Sequence, residues 1–142
     1  MSTTHPRLRL RLWATTSLVT LVALSGCTSL PLSCPAPADV QPEQLHGVWM
    51  LQLDGTSPNW TLQLEPHPEH RGSLRGELQQ GALRHFVVAD LDEGELTLEE
   101  SHDGQRITAT WVGKVVPGSC GRALRGERIG PQERRQAFRM ER

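Results

Sequence analysis

The sequence predicts an all-β protein, a small antiparallel up-and-down β-barrel of about eight strands, with a two-sheet β-sandwich as the runner-up. Three observations carry this. From about residue 45 to the C-terminus apolar and polar residues alternate with a period of two, as a half-buried strand requires. Tight-turn pairs separate the alternating runs: Asp54-Gly55, Glu93-Gly94 and Asp103-Gly104, with a softer signal at Gln80-Gly81. No stretch of this region carries a convincing helical period. Short sequential connections favour an antiparallel meander, and eight strands can close so that no edge is left exposed.

The strands follow in order. Trp49, Leu51 and Leu53 alternate with Met50 and Gln52; Trp60, Leu62 and Leu64 alternate with Thr61 and Gln63. Leu74 and Leu78 flank Gly76 on one face, with Ser73, Arg75 and Glu77 on the other. Arg84 to Leu91 is apolar on both faces in its middle. Leu96 and Leu98 are set against Thr97 and Glu99, and Ile107, Ala109 and Trp111 against Thr108, Thr110 and Val112. Pro117-Gly118 breaks the chain, and two weaker segments, around 120–127 and 134–141, finish it. The outward positions carry Arg, Glu, Gln and Thr, so the barrel lacks the lipid-facing apolar band of an outer-membrane pore.

With 142 residues the chain has room for one core. Its formal net charge of −1 gives no reason to expect a nucleic-acid partner. The signs are segregated. Asp90, Asp92, Glu93, Glu95, Glu99 and Glu100 crowd one hairpin, and seven arginines from Arg122 to Arg142 crowd the C-terminal quarter. Paired, solvated strands are the plain reading of this pattern; a partner-binding patch is the other.

Residues 1–26 read as an export signal. Arg7, Arg9 and Arg11 form a basic start, and the apolar run from Leu12 to Leu24 suits a signal-peptide core but is short for a bilayer span. Leu24-Ser25-Gly26-Cys27 resembles the lipobox of bacterial lipoproteins. The resemblance implies that Cys27 becomes the lipidated N-terminal residue after cleavage, anchoring the protein to a membrane through several acyl chains. In that family an Asp directly after the cysteine tends to retain the protein at the inner membrane. Thr28 therefore points to the outer membrane, with the domain facing the periplasm or the exterior. Residues 27–44 follow as a tether; SCPAPADVQPEQ, from Ser33 to Gln44, holds three prolines and is expected to be extended and stiff. The barrel domain is placed at 45–142.

Lipidation of Cys27 leaves two cysteines in an oxidising compartment. Cys34 and Cys120 are then expected to pair, tying the tether to the body.

Leu45-His46-Gly47-Val48-Trp49 resembles the Gly-x-Trp opening of the calycins, the superfamily of lipocalins, avidins and small bacterial protease inhibitors. The resemblance rests on three residues. It implies that Trp49 packs at the closed end of a barrel, covered by an arginine from a late strand; Arg122, Arg125 and Arg139 are the candidates.

No catalytic residues are expected. Pro117-Gly118-Ser119-Cys120-Gly121 looks like the nucleophile turn of chymotrypsin-like cysteine proteases, which require two barrels and a free thiol. His67 and His70, with Glu65 and Glu69 in one loop, are ligand types that suit zinc or copper, but the plain reading is a proline-stiffened turn, and no metal or cofactor is expected. His46, His85 and His102 are scattered. Inward positions read as nearly all apolar, leaving no acid–base pair where water is excluded. Two functions then compete. One is a non-catalytic recognition module, inhibitor-like, for another envelope protein. The other is a carrier of a small hydrophobic ligand, its cavity opened by Gly76, Ala89, Ala109 and Gly113 and lined by Trp49, Trp60 and Trp111.

Overall fold

Eight antiparallel strands succeed one another around a closed barrel in sequence order. They are β1 (Gly47–Leu53), β2 (Trp60–Pro66), β3 (Leu74–Gln80), β4 (Leu83–Asp92), β5 (Glu95–Ser101), β6 (Ile107–Val115), β7 (Ala123–Ile129) and β8 (Arg135–Glu141). The computed structural model describes Met1 and residues 33–142. The export signal, the lipobox with Cys27, and Thr28 lie outside the described residues. The ring closes where β1 pairs with β8, Met50 opposite Glu141 and Leu53 opposite Phe138. Every strand thus has two neighbours, and the sandwich alternative is excluded.

The period-two pattern places the core. Trp49, Leu51 and Leu53 from β1, Leu62 and Leu64 from β2, and Leu96 and Leu98 from β5 all point inward and are buried. The turns form where glycine permits them: Glu93 (φ 46°) and Gly94 (φ 80°) join β4 to β5 in the left-handed geometry that matches strand twist. The seventh strand starts later than its sequence suggests, at Ala123. Gly118, Cys120 and Gly121 all have positive φ, so residues 116–122 close as consecutive turns before pairing resumes.

The stretch expected to be extended is folded from Pro37 onward. Two short 3-10 turns, Pro37–Asp39 and Pro42–Leu45, begin with proline, whose fixed φ and missing N–H suit a first helical position. Gln41 and Gln44 cap the second turn reciprocally. These turns bring Val40 and Leu45 into the core, where Leu45 is fully buried. They close the end of the barrel at which β1 begins. Gly94 admits them, since a Cβ there would stand 2.5 Å from the Pro37 carbonyl oxygen. Cys34 and Cys120 form a disulfide at this same end.

The opposite end, the mouth, carries the β1–β2, β3–β4, β5–β6 and β7–β8 connections. Between the two ends the interior is filled. Gly113, read above as room for a ligand, sits opposite Gly126, and Gly126 lies opposite Phe138. The Phe138 ring occupies the space: a Cβ on Gly113 would come within 2.7 Å of its Cζ. Ala89 and Ala109 are buried as well.

Candidate functional site at the barrel mouth

The inward alternation of β5 does not stop at leucine. Leu96, Leu98 and then Glu100 point to the interior, and Glu100 is the one charged or polar residue buried outright among the described residues, at 1% exposure. On β7 the inward series Leu124, Gly126, Arg128 brings a guanidinium to the same level. The two form a two-point pair, Arg128 Nε donating to Oε2 at 2.9 Å and its terminal nitrogen to Oε1 at 3.1 Å. Trp111 on β6 donates its indole N–H to Oε2 at 2.9 Å. His85 on β4 places Nδ1 2.8 Å from Oε1, and His102, just past the end of β5, places Nε2 3.5 Å from the same oxygen. The expectation that inward positions are nearly all apolar, with no acid–base pair where water is excluded, therefore fails at this end, and Glu100 leaves the surface acidic group to which composition had assigned it.

Burial by itself pushes the Glu100 carboxyl up. The Arg128 hydrogen bonds and charge, the Trp111 N–H and the His85 charge together outweigh it, and the carboxyl is held below its ordinary value. A carboxylate so held is ionised, so His85 donates from Nδ1. This is the reverse of a general acid, which needs its proton retained near neutrality. Arg128 also lies over the Trp111 ring, 5.4 Å from its centroid, and Trp111 meets Phe138 edge-on. The cluster is thereby wired to the core below it.

Above the cluster the mouth holds a cavity of about 170 Å³, walled by Trp60, Leu53, Leu78 and Gln136 together with the Glu100 group. Trp60 is half-buried, and its Nε1 is the one buried side-chain nitrogen or oxygen without a partner among the described residues. Of the three tryptophans singled out in the sequence, Trp60 and Trp111 thus line the mouth.

Trp49 is elsewhere. It is fully buried at the closed end, its Nε1 donating to the Leu45 carbonyl at 2.8 Å. The arginine over its ring is none of the three expected. It is Arg142, 4.8 Å from the ring centroid, which also donates to the carbonyl oxygens of His46, at 2.7 Å, and Gln44. Arg142, one residue past the end of β8, reaches both the ring and the 3-10 turn below it.

His67 and His70 lie in the β2–β3 connection at the closed end, their rings 4.5 Å apart. His67 Nδ1 accepts from the backbone N–H groups of Glu69 and His70, at 3.2 and 3.1 Å, and so serves the turn. Glu65 is engaged by Arg75. His85, Glu100 and His102 are instead the residues whose ligating atoms gather, a group concealed in the sequence by its spread over two strands.

A second feature lies on the outer wall. Phe86, Val88 and Ile107 are 51%, 39% and 56% exposed. Phe86 and Val88 border an open cleft of about 560 Å³ edged by Gln63, Glu65, Arg75 and Glu77. A smaller cleft of about 140 Å³ continues it to Ile107.

No protein-family model matches the chain, and no curated protein matches it significantly. The closed eight-stranded antiparallel barrel is consistent with the calycin-like fold that the Gly-x-Trp opening implied.

Proposed function

We propose that this chain is a bacterial lipoprotein of the outer membrane, anchored through Cys27, whose barrel is a non-catalytic, calycin-like recognition module for another envelope protein. The observation that carries the reading is the pair of adjoining clefts on the outer wall bordered by Phe86, Val88 and Ile107. The interior is filled by its own side chains, while an aromatic and two β-branched residues stand exposed on the outer wall inside a polar rim. Protein interfaces have this pattern, a small apolar centre enriched in aromatics with polar groups around it. The Glu100 carboxylate, ionised and held by Arg128, supports the non-catalytic half of the reading. A carrier of a small ligand has the mouth cavity in its favour, but about 170 Å³ is well below the roughly 300 to 1,000 Å³ of a site for a drug-sized ligand.

Site-specific photo-crosslinking in cells tests the recognition reading. A photoreactive residue at Phe86 should give a discrete crosslinked protein, and one at Arg139, on β8 across the barrel, should not; equal labelling from both sites refutes it. The anchor is tested by Cys27→Ser, which should move the protein from the membrane pellet to the soluble fraction after a carbonate wash. Native mass spectrometry of that exported variant decides the alternative. A reproducible small-molecule adduct lost on denaturation would establish a carrier.

A further inference from the structure

We propose that His85, Glu100 and His102 form a binding site for a divalent transition metal of the zinc type at the barrel mouth. The proposal is independent of the recognition reading. One potential ligand atom from each of the three residues lies within 4.8 Å of the other two, and both His85 Nδ1 and His102 Nε2 approach the Glu100 Oε1 oxygen. Zinc binds nitrogen and oxygen at about 2.0–2.2 Å in a tetrahedron, which sets its ligand atoms on the order of 3.4 Å apart. The separations from Oε1, 2.8 Å to His85 and 3.5 Å to His102, bracket that value. Two imidazoles and one carboxylate are the donors borderline metals such as zinc and copper select, and three protein ligands leave a position for water.

The surroundings are those of a ligand set held in place. Arg128 Nε and the Trp111 indole both bind Oε2, and a second Arg128 nitrogen holds Oε1 on one side. Carboxylate ligands are commonly fixed by such outer hydrogen bonds. The two histidine ring centroids lie 4.0 Å apart, and each ring has a nitrogen within 3.5 Å of Oε1. Access is direct: the His102 side chain is 57% exposed, whereas that of His85 is 14% exposed. Metal binding at Nδ1 displaces the proton that His85 donates there in the metal-free protein, freeing that nitrogen's lone pair for the ion. Because Arg128 already neutralises Glu100, the imidazoles must supply most of the affinity, and their loss should be felt strongly.

The test is calorimetric titration of Zn²⁺ into the full chain, purified in detergent and stripped of metal. Wild type should bind one equivalent at this site. His102→Ala, which removes an exposed side chain and should leave the fold intact by circular dichroism, should weaken that binding at least tenfold, as should His85→Gln. The double variant His67→Ala/His70→Ala, at the other end of the barrel, should bind as wild type does. Absence of binding to wild type, undiminished affinity of the folded His102→Ala protein, or loss of the site in the His67/His70 variant overturns the proposal.

Discussion

Glu100 concentrates the chemistry of this molecule in one side chain. A buried charge is tolerated only when paired and hydrogen-bonded, and both its oxygens are. Removing the charge while Arg128 stays leaves a guanidinium without its partner, so Glu100→Gln should cost about 3–5 kcal/mol in urea denaturation. The pH dependence has a definite sign. The carboxyl is held lower in the folded than in the unfolded chain, so its contribution is present above the ordinary value of 4.5 and is lost as acid carries the pH down through the folded value. In metal-free buffer wild type should lose this contribution on acidification, and Glu100→Gln should lack that part of the slope. The pair was legible in principle. Glu100 is in phase with Leu96 and Leu98, and Arg128 with Leu124; charge had assigned both to the surface, but parity governs which way a strand residue points.

At the scale of the element, closure of the barrel's first end depends on residues from both extremes of the described chain. Trp49→Ala removes a fully buried ring and should destabilise by about 3–5 kcal/mol. Arg142→Ala removes a cation over that ring and hydrogen bonds to two carbonyls, and should cost about 1–2 kcal/mol, as thermal and urea melts would show. Arg139→Ala, on the outward face of β8 between the buried Phe138 and Met140, should stay within about 0.5 kcal/mol of wild type. A larger loss at Arg139 than at Arg142 would reverse the assignment. The strands themselves were readable because alternation is a direct image of their geometry. The 3-10 turns were not, since elements of three or four residues have no period to detect and a proline-rich composition suits an extended chain equally well. The choice among arginines failed for a related reason: what selects Arg142 is the carbonyls of Gln44 and His46, nearly a hundred positions earlier.

For the whole molecule the decisive constraints are long-range. The Cys34–Cys120 bond spans a sequence separation of 86, and a loop of that length corresponds to about 4–5 kcal/mol of lost unfolded-state entropy. Cys120→Ser should lower Tm by roughly 10 °C or more in calorimetry, and an unchanged Tm would show that packing alone holds the N-terminal turns. This pairing was foreseeable from cysteine number and the oxidising compartment that the sequence implies. Closure of β1 on β8 was foreseeable from strand count and turn length. What no periodicity could supply was the filling of the barrel: small inward residues look like space, and only the register of Gly113, Gly126 and Phe138 shows an aromatic ring taking it up. The disulfide, the 3-10 turns and Arg142 all gather at one end, so the chain enters and leaves the barrel there. The four hairpin connections at the other rim carry no terminus and no covalent tie. That arrangement makes the protein a natural display scaffold: foreign peptides spliced into residues 81–82 or 130–134 should be presented on a rigid stave-work whose integrity is secured at the far side.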